Sequence, residues 1–174
     1  MAGLSPADIA APIRSLLSRY QNIRVLQGEA TSIDLGNSSV EFDFGRLTYD
    51  TLIVACGATH SYFGHREWET HAPGLKTIAQ ATEIRRRVLA AFEQAERIEQ
   101  QAEQKKYLTF VVVGGGPTGG ELAGAIGEMS RFTLARDFRR INPRLTRVIL
   151  VEAGPRILPM FSEQQAGRAA RDLE

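Results

Sequence analysis

One glycine-rich stretch contains the residues of this chain whose types and spacing could do chemistry. Three of its glycines, Gly114, Gly116 and Gly119, have the spacing G-x-G-x-x-G. The whole stretch reads Gly114-Gly115-Gly116-Pro117-Thr118-Gly119. In such a fingerprint the first glycine permits a tight turn, the second lets the backbone approach a pyrophosphate, and the third lets a helix pack close to a strand. The N–H groups and positive dipole end of the next helix would then face the phosphates.

The segments on either side of the glycines are those that a dinucleotide site requires. Residues 108–113 are apolar and rich in β-branched side chains, which predicts a strand buried on both faces in a parallel sheet. Apolar side chains with helical spacing follow over residues 122–129. The glycine spacing alone is weak evidence, because an ordinary glycine-rich turn can have it. Its place between a strand and a helix is what favours a dinucleotide site.

An acidic residue follows a second strand pattern. Residues 147–151 predict that strand, and Glu152 comes directly after it. A carboxylate there can bond the adenosine ribose hydroxyls and repel a 2′-phosphate, so we predict NAD rather than NADP. Glu152 lies 33 residues after Gly119, where about 20 is usual; we attribute the excess to a long helix and a loop at 142–143. Arg156 is a nearby positive charge that could soften the discrimination against NADP.

Composition limits the remaining function classes. The chain has 174 residues, 43% hydrophobic and 24% charged, which suits one domain or two small lobes. A formal net charge of +1 gives no electrostatic case for a nucleic-acid partner. Cys56 is the single cysteine, which fits a reducing compartment and excludes a redox-active cysteine pair within this chain. The three histidines lack metal-ligand spacing, so no metal site is predicted.

The rest of the sequence predicts an α/β fold. Short strands are expected over residues 23–26, 30–35 and 40–44, and turn residues between the last two predict an antiparallel meander. Residues 51–57 form another buried-strand pattern. Ser5 is a candidate N-cap for a helix over residues 5–20, which Pro12 interrupts. Apolar side chains with helical spacing predict a helix over residues 77–106, and a final helix is expected over residues 162–173.

The segments that carry a family resemblance extend over nearly the whole chain. In the first hundred residues they are Ala10-Ala11-Pro12-Ile13-Arg14, residues 49–58, Tyr62-Phe63-Gly64, residues 72–77 and residues 91–96. In the second half they are residues 114–124 and 151–159. Together they resemble type II NADH dehydrogenase, the single-subunit, non-proton-pumping NADH:quinone oxidoreductase. The last two occur across the pyridine nucleotide-disulphide oxidoreductases, and their combination with Phe92-Glu93-Gln94-Ala95-Glu96 narrows the resemblance.

The resemblance implies a larger flavoprotein with two dinucleotide-binding domains, of which this chain is an internal part. Residues 1–76 would be an incomplete FAD-domain segment with a β-meander, and residues 77–106 a linking helix. Residues 107–174 would be the first half of an NAD(H)-binding domain, a parallel, Rossmann-like βαβ unit. The expected cofactors are therefore FAD and NAD.

The resemblance also implies which residues contact FAD. The backbone of Ala55, Cys56, Gly57 and Ala58 would line the flavin cofactor. Cys56 stands where the family usually has threonine. Arg14 would neutralise a charge on the flavin or quinone side, and a surface ion pair is an equally good interpretation of this arginine.

Glu121 is the catalytic candidate, because the resemblance places it near the point where nicotinamide meets isoalloxazine. The alternative interpretation is that this carboxylate stabilises the helix dipole from the first turn. The preceding Gly120 stands where the family usually has valine.

The implied activity is hydride transfer from NADH to FAD and then electron transfer to a quinone. The implied location is cytoplasmic, at the inner face of the cell membrane, with membrane contact through a C-terminal region that this sequence lacks.

Because an FAD-binding glycine fingerprint and a Gly-Asp motif are also missing, we expect an inactive fragment with weak nucleotide binding. A homodimer is compatible with the resemblance. Two alternatives stay open: another FAD-dependent pyridine nucleotide oxidoreductase, such as a ferredoxin or rubredoxin reductase, and a non-catalytic nucleotide-binding module.

Overall fold

A computed structural model describes residues 10–174 and divides them into two units, Ala10–Ala58 and Thr59–Glu174. Residues 5–9 of the first predicted helix lie outside the described residues. The remainder of that prediction is a short helix, α1, over Ile13–Leu17. Within residues 10–174 no helix is both long and apolar enough to cross a bilayer.

The first unit, Ala10–Ala58, contains an antiparallel three-stranded sheet in the order β1-β2-β3. Its strands are β1 (Ala30–Asp34), β2 (Ser39–Phe42) and β3 (Gly45–Thr48). The antiparallel meander is thus confirmed, but the sequence patterns do not predict its third strand, β3. Gly45 has φ +128°, a conformation that favours glycine, so the chain reverses after Phe42 and pairs again.

Two strand predictions in this unit are wrong. Residues 23–26 are not a strand, and the Val25 carbonyl accepts a bond from Arg14 Nη2 at 3.3 Å. Residues 51–57 have no regular structure, and Ile53 and Val54 are 84% and 63% exposed. An apolar β-branched run becomes a strand only where neighbouring strands bond its backbone groups. Among the described residues no strand pairs with this segment.

In the second unit, Thr59–Glu174, the single helix predicted over residues 77–106 is divided into two helices. They are α2 (Ile78–Arg97) and α3 (Gln101–Tyr107). Thr77 and Gln80 form a reciprocal capping box at the start of α2. The chain is extended at Ile98, whose carbonyl accepts a bond from Gln104 Nε2 at 2.7 Å. The helical periodicity continued across this break, which is why the sequence predicted a single helix.

The glycine stretch lies in a parallel βαβ unit, as predicted. Its elements are β4 (Thr109–Val113), α4 (Pro117–Glu128) and β5 (Arg147–Val151). The long connection after α4 holds a π-helical turn (Met129–Thr133) and a short 3-10 helix (Pro143–Leu145), which explains the unusual distance to Glu152. The predicted C-terminal helix is α5 (Glu163–Leu173), which begins with a capping box from Ser162.

Strand β4 is buried on one face only, so the prediction that both faces are buried is wrong. Val112 is buried, whereas Val111 and Val113 are 59% and 72% exposed. Side chains alternate between the faces of a strand, and α2 and α4 both pack on the face that carries Val112. Phe92 of α2 is fully buried there, with its ring 5.8 Å from that of Phe110.

Glu96, near the end of α2, joins this helix to the loop before β5. Its carboxylate accepts hydrogen bonds from the backbone N–H groups of Arg139, Arg140 and Ile141 at 2.9–3.1 Å. Burial pushes the pKa of Glu96 upward, but these bonds and the charge of Arg140 more than offset it. The net pKa is lowered.

We predict that Glu96→Ala lowers the free energy of unfolding by about 1 kcal/mol at pH 7, because the three N–H groups lose their acceptor. The pKa is lowered in the folded state, so the stabilisation is present above the ordinary pKa of 4.5 and is lost as the pH falls through the folded value. Urea unfolding of both proteins at several pH values should therefore show a gap that closes in acid. Glu93→Ala, at an exposed position on the same helix, is the control. A gap that does not change with pH would contradict the assignment.

Candidate dinucleotide site

The turn after β4 requires glycine at its first position. Gly114 has φ +105°, which side-chain-bearing residues rarely adopt. Its N–H donates to the Val151 carbonyl at 2.8 Å, which ties the turn to the end of β5. The parallel pairing of the two strands therefore continues into the glycine turn.

Close packing explains two further glycines. A Cβ atom at Gly119 would lie 1.8 Å from the carbonyl oxygen of Gly114, so only glycine lets α4 approach the turn so closely. A Cβ atom at Gly115 would lie 2.9 Å from Cβ of Glu152 and 3.0 Å from Cγ2 of Ile157. Gly115 thus leaves room for the loop that follows β5.

Gly116 is the glycine of this turn that its surroundings do not require. A Cβ atom there would meet none of the described atoms within 4 Å, and its φ of −73° suits any residue. Gly116 is the N-cap of α4, and no side chain among residues 10–174 caps that helix start. Pro117 has no N–H, and the N–H groups of Thr118 and Gly119 lie in the first turn, where no intrahelical acceptor is available. Open space therefore adjoins the positive end of the helix, as a bound phosphate would need.

Glu152 braces the glycine turn from the end of β5. Its Oε2 accepts from the Gly115 N–H at 2.6 Å, and its Oε1 accepts from the Gly154 N–H at 2.8 Å. The bonds from Gly154 and Gly115 lower the pKa of the Glu152 carboxyl group. The side chain is therefore an anion at neutral pH, directly beside the turn.

Arg156 lies in the loop after Glu152, and its guanidinium group bonds the backbone of that loop. Nη1 donates to the carbonyls of Leu158 at 3.4 Å and Phe161 at 3.1 Å, and Nη2 donates to that of Pro159 at 3.1 Å. The Leu158 N–H in turn donates to the Gly115 carbonyl at 2.7 Å. No sequence pattern predicts this contact of Leu158 with the glycine turn.

Glu121 is exposed and is the fifth residue of α4. It therefore lies beyond the first turn, which has no acidic residue. The interpretation of Glu121 as a first-turn stabiliser of the helix dipole is wrong. Its predicted place near the nicotinamide stays a prediction.

The remaining candidates belong to the unit Ala10–Ala58. Ala55, Cys56, Gly57 and Ala58 are exposed in the irregular segment, and Gly57 has φ +70°. Arg14 is exposed on α1. It lines an open depression with Leu17, Ser18, Tyr20, Gln21, Ile23 and Val25. The structure thus brings the glycine turn, Glu152 and Arg156 together in one unit, and the predicted FAD contacts lie in the other.

Comparison with known proteins gives relatives over nearly the whole chain. The chain is 49% identical to the type II NADH:quinone oxidoreductase NdhA of Mycobacterium tuberculosis, over 98% of this chain and 37% of that protein. It is 45% identical to Ndh of the same organism, over 98% of this chain and 38% of that protein. The chain therefore spans less than two fifths of the length of these relatives.

Solved structures show the same similarity at the level of the fold. NDH2 from Plasmodium falciparum in complex with RYL-552 matches 85% of this chain with a TM-score of 0.70 and 26% identity, and the match covers 32% of that protein. The complex of NDH2 with NADH gives a TM-score of 0.69 at 25% identity, with the same coverage.

A sequence model of one family covers almost all of the chain. It is described as pyridine nucleotide-disulphide oxidoreductase, and it matches residues 3–174. The match includes the glycine turn, Glu152 and the irregular segment of the first unit. The chain therefore belongs to the pyridine nucleotide-disulphide oxidoreductase family.

Proposed function

We propose that the glycine turn binds NADH as part of an FAD-dependent NADH:quinone oxidoreductase. The observation that carries the proposal is the open space at Gly116, beside a helix start that no described side chain caps. A pyrophosphate fits this position because it would accept bonds from the first N–H groups of α4 and lie at the positive end of the helix dipole. The similarity to proteins named type II NADH:quinone oxidoreductase supports the choice of nucleotide and acceptor.

Glu152 would recognise the adenosine ribose. Each carboxylate oxygen accepts one backbone N–H bond and has a lone pair left for a hydroxyl donor. A ribose with free 2′- and 3′-hydroxyls can donate to it, whereas a 2′-phosphate would be repelled by the negative charge. This chemistry favours NADH over NADPH.

The remaining assignments complete the proposal. FAD, when bound, would accept a hydride from NADH and pass electrons to a quinone. The backbone of Ala55, Cys56, Gly57 and Ala58 would contact FAD, Arg14 would neutralise a charge on the flavin or quinone side, and Glu121 would lie near the nicotinamide. In domain terms, residues 1–76 belong to the FAD domain, 77–106 link the domains and 107–174 begin the NADH domain. The whole protein would work at the inner face of the cell membrane.

The glycine turn offers a matched pair of substitutions. A Cβ atom meets open space at both Gly116 and Gly120, four residues apart. We predict that Gly116→Val abolishes NADH binding, because its side chain would occupy the phosphate position. Gly120→Val should leave binding unchanged, since the resembled family has valine there. NADH titrations into the millimolar range would give the Kd of each variant, and thermal melts would show whether each variant is folded. A millimolar Kd corresponds to a binding free energy of about −4 kcal/mol.

Two outcomes would count against this site. Equal NADH binding by the wild type and Gly116→Val would remove the glycine turn from the site. Loss of binding in both valine variants would show that the effect is not local to Gly116. Gly119→Ala is a further control: it should lower the melting temperature, since its Cβ atom would force the Gly114 carbonyl to move.

The nucleotide preference provides a second test. We predict that Glu152→Ala lowers the ratio of the Kd for NADPH to the Kd for NADH, because the negative charge opposite the 2′-phosphate is lost. Glu152→Gln is the control for shape, since its amide oxygen can still accept the Gly115 N–H. Both variants should lower this ratio, because both remove the negative charge. An unchanged ratio in both would place the acidic determinant elsewhere, for example at Asp137.

A further inference from the structure

We propose that Arg156 is a positioning residue of the nucleotide site: it fixes the loop after Glu152 so that this loop supports the glycine turn, and it does not contact a 2′-phosphate. The inference rests on the proposed function, because it concerns the same NADH site. It gives the arginine a role different from the one expected from its charge alone.

The guanidinium group is committed to the loop backbone. It donates to the carbonyls of Leu158, Pro159 and Phe161 at 3.1–3.4 Å, and the side chain is half-buried. The planar, forked guanidinium can hold several carbonyls in a fixed arrangement, which the point charge of a lysine ammonium cannot reproduce. A phosphate ligand at these donors would have to replace bonds that shape the loop.

Leu158 transmits this arrangement to the glycine turn. Its N–H bonds the Gly115 carbonyl at 2.7 Å, while its own carbonyl accepts from Arg156 Nη1. Leu158 has φ +51°, a left-handed conformation that is unfavourable for a leucine. Surrounding contacts must hold such a residue in place, and the three bonds from Arg156 are in position to do so.

The glycine turn is thereby supported through both backbone polar groups of one residue, Gly115. The Gly115 N–H bonds Glu152, and the Gly115 carbonyl bonds Leu158. Ile157 also lies against Gly115, with Cγ2 3.0 Å from the position a Cβ atom would take. If the loop lost its shape, the turn would lose one of these supports. The phosphate-binding position would then be less ordered for NADH and NADPH alike.

The test compares Arg156→Met and Arg156→Lys with wild type. We expect both variants to weaken NADH binding about fivefold or more, and NADPH binding by the same factor. Amide exchange measured by NMR should become faster at Leu158, while the amides of β4 and β5 stay as protected as in wild type. Arg168→Met, which removes an exposed arginine of α5, is the control and should change neither quantity.

Each other result overturns the inference in a distinguishable way. A selective loss of NADPH binding in Arg156→Met, restored in Arg156→Lys, would make the arginine a direct phosphate ligand. Unchanged affinities would remove it from the site. Faster exchange throughout β4 and β5 would make it a residue of general stability. Absence of NADH binding by the wild-type chain would overturn the proposed function itself, and this inference with it.

Discussion

The close approach of the glycine turn to the end of β5 is the constraint on which the candidate site depends. Gly114 bonds the last residue of β5, and Gly115 leaves just enough room for Glu152. Gly119 brings the start of α4 against the same turn. Neighbouring atoms therefore require glycine at positions 115 and 119, and the positive φ favours it at position 114. At Gly116 neither φ nor any described atom within 4 Å requires glycine, and its open side is the position that we propose for the pyrophosphate.

A one-sided core holds these parts in place. Helices α2 and α4 pack on the same face of the β4–β5 pair, around buried residues such as Phe92 and Val112. Glu96 then bonds three successive N–H groups of the loop that leads into β5. Because Glu152 directly follows β5, the packing of α2 and the position of that carboxylate depend on the same strand. The core thereby fixes where the acidic group meets the glycine turn.

The sequence predicted the parts of the fold that local pattern determines. The strand, glycine turn and helix around Gly114 are predicted by an apolar run, the glycine spacing and the helical spacing that follows, and a second apolar run predicts the parallel strand before Glu152. Residues 51–57 were not predicted correctly, because a strand depends on neighbours that a pattern of β-branched residues cannot specify. The sequence does not predict the break at Ile98, because apolar side chains keep helical spacing on both sides of it. The bond from Leu158 to Gly115 depends on a left-handed leucine, for which the sequence has no local signal.

Glu96 and Glu152 both organise backbone N–H groups, but they use their acceptor sites differently. Glu96 receives donors from three residues, and its bonds serve to close a loop. Glu152 receives one donor on each oxygen, so lone pairs stay available on both. A carboxylate can hold the glycine turn and still accept a hydroxyl group, since its two oxygens offer about four acceptor sites. Under the proposed function, the group that shapes the turn would thus also read the ribose, which couples the geometry of the phosphate position to the choice of nucleotide.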